Sequence, residues 1–187
     1  YNFLNLKKFL IKKGFKSFRS TSDTEILVEL LNYFSFEELL KRLEGMFSIA
    51  VLDNFEKKLF LARDRAGEKP MYISIRDGMI GFGSDLRSIY QNHHLKKEID
   101  NNALGFYFKL NYIPFPYTIY KNTFKLEPGS MISFCLDTIQ MSKCDEFEEL
   151  KSLQGIEFKK WWHLNNKDPK HYLDASNIQS QFENLLE

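Results

Sequence analysis

Met46-Phe47-Ser48-Ile49-Ala50-Val51-Leu52-Asp53-Asn54-Phe55-Glu56-Lys57-Lys58-Leu59-Phe60-Leu61-Ala62 is the stretch on which the fold turns. Phe47, Ile49 and Val51 alternate with Ser48 and Ala50, the period of two that lets a strand bury one face. The polar run Asp53 to Lys58 interrupts, and Leu59 to Ala62 returns apolar, so the stretch predicts a hairpin. Further along, Met71 to Ile75 and Met79 to Phe82 flank Asp77-Gly78, a dipeptide suited to the positive φ of a tight turn. Two hairpins in succession predict an antiparallel sheet.

Upstream the period is helical. Phe3, Leu6, Phe9, Leu10 and Lys13 recur at helix spacing, and Gly14 stands where a left-handed cap is inexpensive. Ser22 and Glu25 have the spacing of a capping box ahead of Ile26, Leu27, Leu30 and Leu31. Ser35 and Glu38 repeat that signal before Leu39, Leu40 and Leu43, and Gly45 ends the third helix.

Downstream, 85–91 and 101–109 read as short helices, and Ile113 to Tyr120 as an ordered, aromatic-lined connection because Pro114 and Pro116 can neither continue a helix nor donate to a ladder. Met131 to Leu136 and Thr138 to Met141 suggest another hairpin, followed by an exposed acidic segment at Asp145, Glu146, Glu148 and Glu149. Asp174 to Glu187 looks like the start of a further helix. Helices first, then strands, then a mixture of both, predict an α+β fold with helices packed on an antiparallel sheet, not a parallel βαβ array.

The chain of 187 residues, 43% hydrophobic and 16% aromatic, carries enough apolar matter for one substantial core, or for most of one domain plus the opening of another. Twenty-six Lys and Arg balance twenty-five Asp and Glu, so no overall field favours nucleic acid or a membrane surface. The local cluster Lys7, Lys8, Lys12, Lys13, Lys16 and Arg19 reads as a solvated helix face. Two cysteines without zinc spacing, no spanning run and no secretion signal lead to the expectation of a soluble, cytoplasmic protein.

Candidate chemistry is sparse. Arg63, Asp64, Arg65, Gly67, Lys69 and Pro70 crowd three cations and an anion at a strand exit. The first interpretation is a structural turn held by an Arg–carboxylate fork, with anion binding or catalysis as alternatives. Asp23, in a helix's first turn, serves either as cap support or as a fixed carboxylate for a ligand ammonium group. Gly78, Gly81 and Gly83 lack phosphate-loop spacing, and the adjacent His93 and His94 diverge by about 100° on a helix, which suits surface residues better than metal ligands. Cys135 and Cys144 sit among apolar or acidic neighbours, a setting that raises a thiol pKa and leaves it inert.

Several of these segments, in this order, resemble the glutaminase domain of the asparagine synthetases, the class II or N-terminal-nucleophile glutamine amidotransferases. Tyr1-Asn2 resembles the end of an Asn-Gly-Glu-Ile-Tyr-Asn motif, Ser22-Asp23-Thr24-Glu25 a Ser-Asp-Thr-Glu, and Gly45-Met46-Phe47 a Gly-Met-Phe strand. Ala62 to Tyr72 is similar to Ala-Arg-Asp-Arg-x-Gly-x-Lys-Pro-Leu-Tyr, and Phe82-Gly83-Ser84-Asp85 to Phe-Ala-Ser-Glu. Tyr112-Ile113-Pro114 through Thr118-Ile119-Tyr120, then Lys125-Leu126, Pro128-Gly129 and Trp161-Trp162, point to the asparagine-synthetase branch.

The resemblance implies an αββα sandwich over residues 1–162 that lacks its N-terminal part, and over 163–187 a linker and the first helix of an ATP-dependent synthetase domain. It implies glutamine as substrate, Asp23 as the residue binding the glutamine α-amino group, and an N-terminal cysteine nucleophile that these residues do not include. No catalytic residue and no cofactor are expected within the chain, ATP and Mg²⁺ belonging to the synthetase half. A homodimer is one expected partnership, through sheet edges left open; nucleic acid and membrane are not expected partners. On this view the chain alone is inactive and its complete form amidates aspartate or a related acceptor. The alternative is a glutaminase-like scaffold that has lost its nucleophile.

Overall fold

The computed structural model describes residues 1–76, 79–91, 97–139, 144, 146–164, 179–180 and 182–184 of the chain. Three helices lead: α1 (Phe3–Lys12), α2 (Asp23–Leu30) and α3 (Phe36–Arg42). The first hairpin follows as β1 (Ser48–Asp53) and β2 (Lys58–Arg63), the second as β3 (Tyr72–Arg76) and β4 (Met79–Gly83). Then come α4 (Leu86–Ile89), α5 (Asn101–Leu110), β5 (Thr123–Lys125), β6 (Ser130–Cys135), α6 (Phe147–Ser152) and β7 (Ile156–Lys160). Every strand pairing is antiparallel, in a four-stranded sheet ordered β1-β2-β6-β7 and a three-stranded sheet ordered β4-β3-β5.

The alternation within β2 explains the layering. Leu59 and Leu61 point into an apolar core shared with Ile73, Ile75, Phe124, Ile132 and Phe134, so the two sheets pack face to face. Phe60 and Ala62 point the other way, into a second core with Leu6, Leu10, Leu30, Leu39 and Leu40 from the three leading helices. On the three-stranded sheet, Tyr72 and Met79 meet Ile89 and Tyr90 at the end of α4. Each fully buried Leu or Ile contributes about 1.5–3 kcal/mol relative to exposure, so both cores are needed to offset the ordering cost of the chain.

Some local expectations are corrected. The Ser35 capping box is present in full: Ser35 Oγ accepts from the Glu38 amide, and Glu38 accepts from Ser35. The Ser22–Glu25 box is not. Ser22 Oγ accepts from the Thr24 amide, while Glu25 reaches outside its helix to the Arg19 and Ser20 amides, at 2.7 and 2.8 Å, and to the Ser20 hydroxyl. The partner of β6 is also different: β6 lies between β2 and β7, with Ile132 opposite both Leu61 and Phe158. Thr138 donates its amide to Cys135 in a turn instead of opening a strand.

The acidic segment after residue 144 contains α6, whose Phe147-Glu148-Glu149-Leu150 repeats the Phe36-Glu37-Glu38-Leu39 that opens α3. Phe147 and Leu150 are buried in the inter-sheet core. The Asp77-Gly78 turn, His93 and His94, 140–143, Asp145 and most of 174–187 lie outside the described residues. Among the described residues no helix is long and apolar enough to cross a membrane.

Candidate functional site

A cleft of about 420 Å³ opens beside β1, at the N-terminus of α2. Its walls come from five separate parts of the chain: Tyr1, then Asp23, Thr24 and Leu27 of α2, then Met46 to Ala50, then Lys69, and finally Ser84. Leu27, Phe47 and Ile49 give it an apolar floor, and Asp23, Ser48, Lys69 and Ser84 give it a polar rim.

Asp23 is the first residue of α2, where the free amides and the helix dipole favour a carboxylate. Among the described residues nothing donates to that carboxylate. The Asp23 backbone carbonyl accepts the Tyr1 hydroxyl at 2.5 Å. Burial, and then the nearby Asp23 charge, push the Tyr1 phenol well above its ordinary value, so it remains a donor at neutral pH. The lining of the cleft thus includes one acidic residue, Asp23, and one basic residue, Lys69.

Lys69 is positioned by Asp64. That carboxylate, 1% exposed, accepts the amides of Phe47 (3.3 Å), Glu68 (2.9 Å) and Lys69 (2.9 Å), joining the entry to β1 to the turn after β2. The expected Arg–carboxylate fork is absent here. Arg63 instead donates to the carbonyls of Lys69 and Leu126, each at 2.8 Å, and of Gly67. Burial pushes the Arg63 guanidinium down from its usual value, but a guanidinium starts so high that it stays charged. With each of its three nitrogens donating to a carbonyl, Arg63 is a strut. Arg65 turns the other way, to the Lys41 carbonyl and over the Trp161 ring.

The cleft lining contains hydroxyls at Thr24, Ser48 and Ser84 but, among the described residues, no cysteine and no histidine. Cys144 is buried in the inter-sheet core, and Cys135 stands at the end of β6. The expected upward shift of a thiol is reversed at Cys135, where the hydrogen bond with the Thr138 side chain holds the pKa below its ordinary value. Among the described residues no group of three or more His, Cys, Asp or Glu could hold a metal ion.

Of the residues singled out in sequence, the structure places Asp23 and Lys69 on the same cleft and Asp64 behind it. Tyr1 and Ser84 were legible only as parts of motifs, with nothing to show that they meet.

Residues 1–145 match the family described as a glutamine amidotransferase domain. A Methanocaldococcus jannaschii protein that carries the provisional name asparagine synthetase (glutamine-hydrolysing) 2 is 36% identical over 146 residues, which are 76% of this chain and 27% of that protein. Glutamine-hydrolysing asparagine synthetase 1 of Bacillus subtilis is 32% identical over 71% of the chain and 21% of its own length. Asparagine synthetase 3 of the same organism is 28% identical over 100% of the chain and 28% of its own length. The chain therefore spans roughly a quarter of the length of these curated relatives. With the match covering most of the sequence, this chain belongs to the glutamine amidotransferase domain family and is similar to its asparagine-synthetase members.

Proposed function

We infer that the cleft is the glutamine site of an asparagine-synthetase-like amidotransferase, with Asp23 receiving the α-ammonium group of glutamine. The observation that carries this is the position of Asp23. The aspartate of the Ser-Asp-Thr-Glu motif lines the cleft at a helix N-terminus. A charge-assisted bond from an ammonium to such a carboxylate contributes about 1.5–3 kcal/mol.

On this reading these residues supply the part of the site that binds glutamine. Cleavage of its amide needs a nucleophile, and the family's is an N-terminal cysteine thiolate that would reach the cleft from sequence other than these 187 residues. The two packed sheets, with helices against both outer faces, support the αββα arrangement of the N-terminal-nucleophile hydrolases. In the complete protein, ammonia released from glutamine is used in ATP- and Mg²⁺-dependent amidation of aspartate or a related carboxylate, on a domain beyond this one.

The test is glutamine-dependent release of glutamate by the full-length polypeptide that contains these residues, comparing wild type with Asp23→Asn. Removing the ammonium's counter-charge should raise KM for glutamine roughly tenfold to a hundredfold, while the lost charge–dipole interaction of about 0.3–1 kcal/mol leaves the fold intact by circular dichroism. An unchanged KM would remove Asp23 from the site.

A further inference from the structure

Tyr1 and Asn2 are fastened to the exit of α3. The Asn2 backbone amide donates to the Glu44 carbonyl at 2.9 Å, its side-chain amide donates to the Arg42 carbonyl at 3.1 Å, and its side-chain oxygen accepts the Glu44 amide at 3.0 Å. Gly45 has φ +103°, and a Cβ there would stand 3.2 Å from the Tyr1 Cα, so the two backbones run side by side in contact. From Gly45 the chain passes directly into Met46 to Ala50, which wall the cleft. Tyr1 therefore starts from the β1 side of the cleft, and its hydroxyl reaches across to the Asp23 carbonyl on the α2 side.

That bond stands alone in what it joins. Ser22 caps α2 through the Thr24 amide, Glu25 accepts from the Arg19 and Ser20 amides and the Ser20 hydroxyl, and the Ser22 amide donates to the Ser20 hydroxyl. All of these close within residues 19–25. Among the described residues, and apart from the ladder of α2 itself, the Tyr1 hydroxyl is the one group outside that segment that hydrogen-bonds to it. Ile26, Leu27 and Leu30 bury the apolar side of α2 and hold its axis on the core. Apolar packing is non-directional, however, whereas a hydrogen bond fixes both distance and angle.

We propose that Tyr1 is a positioning residue for the glutamine site: by holding the Asp23 backbone against the β1 wall, its hydroxyl sets where the Asp23 carboxylate meets the α-ammonium group of the substrate. This role rests on the glutamine reading of the cleft and deepens it. The Tyr1 hydroxyl binds the backbone of Asp23 and leaves the carboxylate to a ligand, so the residue is fixed without its charge being consumed. A carboxylate fixed in advance lowers the ordering cost of binding. Tyr1 touches no reacting atom in this role, so losing its hydroxyl weakens substrate binding and spares the chemical step.

The experiment is a double-mutant cycle in the full-length polypeptide that contains these residues, following glutamate release from glutamine by wild type, Tyr1→Phe, Asp23→Asn and the double variant. Phenylalanine keeps the ring and removes only the hydroxyl. Tyr1→Phe should raise KM for glutamine roughly threefold to tenfold, the effect of one hydrogen bond, with kcat unchanged. In the Asp23→Asn background the same substitution should add nothing further. An equal rise in KM in both backgrounds would mean that Tyr1 acts independently of Asp23 and would overturn the proposal. So would an unchanged KM in Tyr1→Phe, or a fall in kcat at constant KM. An unchanged KM in Asp23→Asn would remove the glutamine reading and this role with it, whereas a raised KM there beside an unchanged one in Tyr1→Phe would remove the role of Tyr1 alone.

Discussion

Asp64 and Phe47 are bonded to each other twice. The Asp64 amide donates to the Phe47 carbonyl at 3.1 Å, and the Phe47 amide donates back to the Asp64 carboxylate at 3.3 Å. Phe47 lies just ahead of β1 and Asp64 just after β2, so this pair closes the open end of the first hairpin. Because the same carboxylate holds Lys69, the cleft wall and the hairpin share one fastening.

Asp64→Ala leaves one buried and two partly buried amides without an acceptor and should cost about 2–4 kcal/mol in urea unfolding, a large part of a typical domain's stability. Asp64→Asn keeps one carbonyl oxygen and should cost less. It should nevertheless weaken glutamine binding in the full-length polypeptide, since Phe47 and Lys69 both line the cleft. Equal stability of the two variants would contradict the role given to the carboxylate.

Gly67 has φ +70°, and a Cβ there would stand 2.7 Å from Pro128 Cγ and 3.0 Å from the Arg63 guanidinium carbon. Gly67→Ala therefore meets backbone strain and a steric clash together, with an expected loss of about 1–3 kcal/mol in thermal or urea unfolding. Displacement of Arg63 from the Leu126 carbonyl should also loosen the tie between the two sheets, visible as faster hydrogen exchange at the Leu126 amide, which donates to Met71.

Glu25 gives a pH-dependent loop. The Arg19 amide, the Ser20 hydroxyl and the Ser20 amide hold its carboxyl below the usual carboxylate value. A depressed folded pKa means the tether is fully made above the unfolded value of about 4.3 and is lost as pH falls through the lower folded value. Amide exchange at Arg19 and Ser20 should therefore accelerate below about pH 4 beyond its intrinsic pH dependence. In Glu25→Gln that extra dependence should be missing; if it persists, another group is responsible.

What could be read from the sequence was local. Capping at Ser35 and alternation through Phe47, Ile49 and Val51 depend on neighbours a few residues apart, so both appear as expected. Strand β5 has three residues, too few to show a period, and β7 hides Ile156 and Phe158 among Glu157, Lys159 and Lys160. The pairing of β6 with β2 joins residues about seventy positions apart, which no local signal encodes. The same distinction holds at the cleft. Asp23 could be picked out by motif, but its meeting with Tyr1, Lys69 and Ser84 is a product of topology, and the roles of Asp64 and Arg63 depended on which backbone groups came within reach.

The sheet order β1-β2-β6-β7 also governs when this protein can fold. As the chain leaves the ribosome, the three helices and the first hairpin emerge early, but the strand that flanks β2 on its other side does not exist until residues 130–135 are made, and its own neighbour not until 156–160. Until then one edge of β2 has no partner, and the core around Leu59 and Leu61 lacks Ile132 and Phe134. Long-range pairing of this kind slows folding and lengthens the time that sticky surface is open to other nascent chains. The interval between synthesis of β2 and synthesis of β6 is therefore the period in which the β2 edge is open to mispairing.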